Sequence, residues 1–233
     1  MRTLLASILL AVLVAAPAPA QRVAADGAPQ TFTILVDQYL SQVYFPFSPS
    51  SGTGAGLHQY DTQLEDYAPA TLQKQIASLH AFDKKFAAIE PAALDQSMVG
   101  DREMVLSNIH SSLLTLETIK PSEKNPDTYS SGITSSAFSI MERPYAPANT
   151  RLRALVEREK LMPHLLQEAR TNLKNCPRIY TEIALEQIDG DVSFFQNDVP
   201  AAFTDATDPG VKAAFATSNA AVIAALSRTM ARG

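Results

Sequence analysis

Three acidic residues recur at helical spacing late in the sequence and so share one face of a predicted helix. Glu182, Glu186 and Asp189 are four and three residues apart, which aligns side chains along a helix. Di-iron helical bundles use such rows of carboxylates, but they also need a Glu-x-x-His pair, and this segment contains none. Repulsion between the charges costs a few tenths of a kcal/mol per pair, and Arg178, four residues before Glu182, offsets about as much. The acidic row therefore needs no bound metal to explain it.

The four histidines and the serine-rich turns show no motif for zinc or for a nucleophile. The residues that follow the histidines are Gln59, Ala81, Ser111 and Leu165, so there is no His-Glu pair and no pair of histidines four residues apart. A zinc hydrolase needs two or three converging ligands and a carboxylate base. Gly-x-Ser-x-Gly is absent, and the glycines of 52–56 lack the lysine of a phosphate-binding loop. The residues alone predict no catalytic residue and no metal ligand.

Long amphipathic helices must position these residues. Apolar residues recur at steps of three and four over 72–89, 106–119, 152–173, 178–198 and 211–230. Pro163 should divide the third of these helices near Lys160, because proline removes a backbone donor. Most other prolines fall between the periodic runs, and alternating strand patterns are nearly absent. The sequence predicts an all-α fold, an irregular multi-helix bundle.

Two segments between the helices are longer than a turn requires, and we predict both to be long ordered loops. Residues 45–66 are rich in serine, glycine and aromatic residues, and residues 120–149 are polar, then small, then flanked by proline. Long ordered loops of this kind often carry function, but they also cap the ends of helical bundles. The pattern leaves both interpretations open.

The first 20 residues are predicted to be a signal peptide. Arg2 precedes an apolar run over 4–16, and the small residues at 18–20 fit a cleavage site after Ala20. The run is too short and too rich in proline for a membrane anchor. We therefore expect a mature chain, 21–233, that is exported to the periplasm or secreted and has no stable membrane span. Its single cysteine, Cys176, cannot form an internal disulfide.

The charge balance disfavours one class of partner. The chain of 233 residues has 19 Lys and Arg against 24 Asp and Glu, which gives a net charge of −5. A nucleic-acid-binding protein normally presents a basic stripe, and no such stripe is present in the sequence. We therefore expect no nucleic-acid partner.

Three segments resemble a known bacterial family. They are SGTGAGLHQYDTQLEDY (51–67), EKNPDTYSSGITSSAF (123–138) and LKNCPRIYTEIALEQIDGDVSFFQNDVPAAF (173–203). In these segments the chain is similar to the N-terminal half of the DUF885 proteins, which are exported, mostly helical relatives of zincin-type metallopeptidases of the carboxypeptidase kind. The resemblance implies that the fold is the N-terminal portion of a zincin-like helical fold.

The resemblance also implies what this chain lacks. Longer family members hold zinc with a His-Glu-x-x-Pro-Gly-His motif in their C-terminal half, and no position here matches that motif. The chain would then be an apparently truncated N-terminal region that forms part of a peptide-binding cleft, holds no metal and is not catalytic alone. The polar positions placed nearest the cleft are Asn125, Tyr129, Ser130, Ser131, Tyr180, Glu182 and Gln187. The alternative is a stand-alone periplasmic helical module for binding or interaction.

Overall fold

The computed structural model describes residues 27–230, and within that range the fold is entirely helical. Eight helices of eleven or more residues form the framework of the described part. They are α1 (Ala28–Tyr39), α2 (Pro69–Ala87), α3 (Gln96–Leu113), α4 (Asp127–Met141), α5 (Ala148–Glu159), α6 (Met162–Asn172), α7 (Arg178–Ser193) and α8 (Pro209–Met230). Three of them continue into wider π-helical turns, at Leu40–Tyr44, Leu114–Ile119 and Phe194–Asp198. The all-α prediction is confirmed. The predicted signal peptide, 1–20, lies outside the described residues.

Prolines set several of the helix boundaries. α5 ends at Glu159 and α6 begins at Met162, so the predicted division near Lys160 is confirmed. Pro163 lies in the first turn of α6, where a missing backbone donor costs nothing because that donor has no partner inside the helix. Pro177 directly precedes α7 and occupies its N-cap position.

The prediction of a long loop over 120–149 is wrong, because α4 occupies half of that segment and a short helix, Pro121–Lys124, precedes it. The buried face of this helix carries hydroxyl groups and small side chains between its larger residues. It consists of Tyr129, Ser130, Ile133, Ser136, Ala137 and Ile140. Such a face gives little contrast in hydropathy, so the helical period was hidden in the sequence. The other predicted loop, 45–66, is an ordered, irregular segment with short helices at Phe45–Phe47, Pro49–Gly54 and His58–Tyr60.

The buried side chains form two separate clusters. The first, which we call the α1–α3 core, is centred on Phe86 and Ile109 and includes Phe32 and Tyr39 of α1. The second, the α4–α8 core, gathers apolar residues from the last five helices, such as Leu155 of α5. The irregular segment 45–66 lies between α1 and α2 in the chain and touches both cores, since Phe47 packs against the α1–α3 core and Leu64 packs against the α4–α8 core.

One helix in the described range has the length and composition of a membrane span. It is the stretch Pro209–Arg228 of α8, with a mean hydropathy of 1.2 and a third of its residues buried. α8 packs against α5, α6 and α7, and core helices of globular proteins meet the same criterion. The finding is only a weak indication of a span.

Candidate functional site

An apolar pocket of about 290 Å³ lies where the start of α4, the helices α6 and α7 and the end of α8 meet. Its wall consists mainly of side chains from Pro126, Tyr129, Ser130, Leu166, Ala169, Leu173, Ala184, Leu185 and Ile188. A pocket of this size accommodates a large apolar side chain rather than a whole drug-sized ligand.

Two arginines stand at the rim of this pocket. Arg170 comes from the end of α6 and Arg228 from the end of α8, and both are exposed. Within residues 27–230 neither guanidinium makes an ion pair. Guanidinium groups bind carboxylates and phosphates through paired hydrogen bonds. The pocket therefore combines an apolar interior with two available anion-binding groups.

Tyr129 holds the wall of the pocket in place. Its hydroxyl donates to the backbone oxygen of Ser122 over 2.7 Å and accepts a hydrogen bond from Asn172 Nδ2 over 3.1 Å. Asn172 also donates to the backbone oxygen of Tyr67 over 2.8 Å. Burial raises the pKa of the Tyr129 phenol to about 12. The phenol thus stays neutral and links the start of α4 to the end of α6.

Ser130 and Asp191 lie together behind the pocket. Thr134 donates to the Asp191 carboxylate over 3.0 Å, and burial raises the pKa of that carboxyl group while this hydrogen bond partly lowers it. The Ser130 hydroxyl lies close to Asp191 but forms no hydrogen bond within 3.5 Å. Because this hydroxyl is buried, it is not open to a ligand in the pocket.

The residues predicted for a cleft divide between this pocket and the outer surface. Tyr129 and Ser130 line the pocket. The side chain of Asn125 accepts from the amide of Asp127, and Ser131 donates to the Asp127 carboxylate, both at the start of α4. The other three, Tyr180, Glu182 and Gln187, lie on exposed parts of α7. The cleft assignment stays a prediction for all seven residues.

The acidic row on α7 faces solvent. Glu182, Glu186 and Asp189 are all exposed, and Arg178 Nε lies 2.7 Å from Glu182 Oε1. That ion pair is the one expected from the spacing of four residues. Among residues 27–230, no group of three or more His, Cys, Asp or Glu side chains is placed to hold a metal ion.

Sequence reasoning missed the pocket because its wall combines residues of the buried helix stripes with residues that lie beside those stripes. On α7 the stripe is Ala184 and Ile188, and Leu185 lies a hundred degrees away from Ala184 and is 42% exposed. A leucine beside the apolar stripe was the feature of the sequence that could have indicated the pocket. Ile179 and Ile183, also exposed, lie on the opposite flank of the same helix.

The sequence profile of a bacterial family described as "Bacterial protein of unknown function (DUF885)" matches residues 49–232. This chain belongs to the DUF885 family. The match covers α2 to α8 and the irregular segment before them, and it begins after α1. No curated protein matches the chain significantly.

A solved structure shares the fold of this DUF885 chain. It is described as "a putative lipoprotein of unknown function from Shewanella oneidensis", and the two superpose with a TM-score of 0.75 at 23% sequence identity. The superposition covers 87% of this chain and 36% of the other. The chain therefore spans about a third of the length of that protein.

Proposed function

We propose that this DUF885 chain forms the N-terminal, ligand-binding wall of an exported, zinc-dependent, peptidase-like protein and is not catalytic alone. The observation that carries the proposal is the apolar pocket with two arginines at its rim that make no ion pair within residues 27–230. An apolar interior next to guanidinium groups suits a peptide whose last residue has an apolar side chain and a free carboxylate.

The comparisons support the larger setting of this proposal. The chain covers 36% of a structural neighbour described as "a putative lipoprotein of unknown function", and lipoproteins are exported proteins. The peptidase activity and the zinc come from the family resemblance. Residues 27–230 contain no matching ligand group, so we assign no metal chemistry to them and restrict their role to binding.

The pocket predicts a specific preference among small ligands. N-acetylphenylalanine should bind better than N-acetylphenylalaninamide, because only the first presents a carboxylate to Arg170 and Arg228. We expect a difference of about tenfold or more, the usual size for a charge-assisted hydrogen-bonded pair. Chemical-shift changes of the methyl groups of Leu166, Leu185 and Ile188 would report binding at this pocket.

Variants test which groups are responsible. Arg170→Gln and Arg228→Gln should each remove the preference for the carboxylate, and Ala184→Trp should fill the pocket and abolish binding of both ligands. Arg143→Gln is the matched control, since Arg143 is an exposed arginine just beyond the other end of α4. Equal affinity for the acid and the amide in the unmodified protein would contradict the proposal.

The claim that the chain is not catalytic alone has its own test. Zinc measured by elemental analysis on the purified chain should be well below one ion per molecule, and peptide hydrolysis should be absent. One tightly held zinc per chain, or a peptidase activity that a chelator removes, would overturn this part of the proposal.

The pocket also supports the alternative of a stand-alone binding module, because residues of this chain alone complete its wall. A module should be monomeric, should melt cooperatively and should bind its ligand with no further polypeptide. A chain that aggregates or binds no ligand until a longer relative's C-terminal part is added would favour the first proposal. Sedimentation and thermal unfolding distinguish the two.

A further inference from the structure

His58 uses its ring nitrogens differently from the other three histidines. In His80, His110 and His164 the nitrogen facing a carboxylate is Nε2, at 2.8, 2.7 and 3.3 Å. In His58 it is Nδ1, which lies 3.1 Å from Asp61 Oδ2. Nε2 of His58 forms no hydrogen bond to any residue of the described range, and the side chain is 44% exposed.

Asp61 fixes the tautomer and the orientation of that ring. Its side chain is only 5% exposed, and its Oδ2 also accepts a hydrogen bond of 2.5 Å from Tyr145. Because a carboxylate only accepts, Nδ1 of His58 is the donor, and the neutral ring then has its lone pair on Nε2. The Tyr145 ring stacks on the imidazole at 3.8 Å and 10°, so the imidazole is held on one face as well as at one edge.

A fully buried arginine holds the turn that carries His58 and Asp61. Arg158 of α5 donates to the backbone oxygen of Tyr60 over 2.8 Å and to Thr53 Oγ1 over 2.7 Å. It also donates to the backbone oxygen of Ser136 in α4 over 2.8 Å. A buried guanidinium that loses a hydrogen-bond partner keeps an unsatisfied donor, which is costly. The network makes the position of the turn rigid, which suits a group that must be placed accurately.

His58 lines a cavity of about 410 Å³, and its Nε2 lies on the side of the ring away from the nitrogen that contacts Asp61. The residues that line the cavity include Thr62 and Thr150, which carry hydroxyl groups, and the charged residues Arg153 and Glu157. Both charged residues already have partners, in Asp208 and Lys160. The wall also includes the Asp61 carboxylate, so the site disfavours anionic substrates and offers threonine residues beside a proton acceptor. It is separate from the apolar pocket, which has different lining residues.

We propose that His58 is the general base of a hydrolytic site for small, uncharged esters, with Asp61 and Tyr145 as positioning residues. Nε2 takes a proton from a water molecule while the water oxygen forms a bond to the ester carbonyl carbon. The ester C–O bond then breaks, and the imidazolium returns the proton to the departing alkoxide. Ester and water give acid and alcohol, and His58 ends as it began. The hydroxyls of Thr62 and Thr150 are the donors available to the negative oxygen of the intermediate.

The tautomers provide the first test. At about pH 8.5, where imidazole groups are ordinarily neutral, long-range ¹H–¹⁵N spectra should show the proton on Nδ1 in His58 and on Nε2 in the other three histidines. Diethyl pyrocarbonate should also modify His58 fastest, because it acylates the less hindered Nε2. A proton on Nε2 of His58, or a slower modification of His58 than of His110, would overturn the proposal.

Hydrolysis of p-nitrophenyl acetate provides the second test. The protein should release many p-nitrophenolate molecules per chain, His58→Gln should reduce the rate to the background, and Asp61→Asn should reduce it about tenfold or more. His110→Gln is the matched control and should leave the rate unchanged. Circular dichroism must show the same helical content in every variant. Release of one product per chain without turnover, or an unchanged rate in His58→Gln, would refute the catalytic role. These outcomes are independent of binding at the apolar pocket.

Discussion

The carboxyl group of Glu159 is the most perturbed acid of the α4–α8 core. It is fully buried at the end of α5, and it accepts a hydrogen bond from Ser218 of α8, while its Oε1 has no partner among the described residues. Burial raises its pKa from the ordinary value of 4.5 to about 8, and the hydrogen bond from Ser218 partly lowers it. The folded chain therefore holds this proton more tightly than the unfolded chain. The free energy of unfolding must fall as the pH rises from about 4.5 to about 8.

Glu159→Gln should remove that pH dependence, because an amide carries no charge to bury. We expect the variant to be more stable than the unmodified protein at pH 8, by roughly 2 to 4 kcal/mol, and close to it at pH 5. Thermal unfolding at the two pH values measures the difference. Glu157→Gln, at an exposed position two residues away, is the control and should change neither curve. Parallel curves for Glu159→Gln and the unmodified protein would contradict the prediction.

Two residue pairs show which contacts can be predicted from the sequence and which cannot. The spacing of Arg178 and Glu182 predicted an ion pair correctly, because both belong to one helix and local geometry determines their distance. The contact of His58 with Tyr145 joins residues 87 positions apart in two irregular segments. No local period encodes such a pairing, so His58 was not distinguishable from the other histidines before the structure was known.

The short helix Pro49–Gly54 depends on one glycine for its packing. A Cβ atom at Gly52 would lie 2.6 Å from Cδ2 and 2.9 Å from Cγ of the Tyr60 ring. Tyr60 is buried, and its backbone oxygen accepts a hydrogen bond from Arg158. The ring therefore cannot move without disturbing the turn that holds Asp61.

Gly52→Ala should destabilise the protein by about 1 to 3 kcal/mol, the usual cost of overpacking. Gly54→Ala in the same helix is the matched control, since no atom outside its neighbours lies within 4 Å of a Cβ there. Because the added Cβ in Gly54→Ala meets no other atom, we expect this variant to be as stable as the unmodified protein or more stable by up to about 1 kcal/mol. The midpoints of urea unfolding curves give both changes in the free energy of unfolding, provided that the dependence of that free energy on urea concentration is the same in both variants. Equal midpoints for the two variants would show that the close approach of the Tyr60 ring does not destabilise Gly52→Ala.

At the scale of elements, the helices that were predicted correctly share a clear physical property. Their buried faces are made of large apolar residues, so the period of three and four is visible in the sequence, as in α2 and α3. α4 has no such contrast, since Ser130, Ser136 and Ala137 lie on its buried face. One of these hydroxyl groups is accommodated by the helix backbone, since Ser136 Oγ donates to the oxygen of Ile133 over 2.8 Å. Tertiary packing, and not hydropathy, forms this element.

The two-core arrangement of the whole molecule follows from contacts that no segment of sequence contains. In the α1–α3 core, Phe86 lies between Phe32 and Tyr39, with ring centroids 6.1 and 6.0 Å away. Both partners belong to α1, which precedes the part of the chain that matches the family profile. In the α4–α8 core, Leu155 is equally buried but contributes to a different cluster. Each core stabilises its own helices, and side chains of the irregular segment 45–66 pack against both cores.

Stability should therefore be separable between the two cores. Phe86→Ala should cost about 3 to 5 kcal/mol and Leu155→Ala about 2 to 5 kcal/mol. Native-state hydrogen exchange shows which helices each substitution destabilises, because regions of a protein open in cooperative units. Phe86→Ala should accelerate exchange in α1, α2 and α3 and leave α5 to α8 protected, while Leu155→Ala should do the opposite. If both variants accelerate exchange equally in all eight helices, then the two clusters unfold as one unit. The irregular segment would then couple them as strongly as a shared core does.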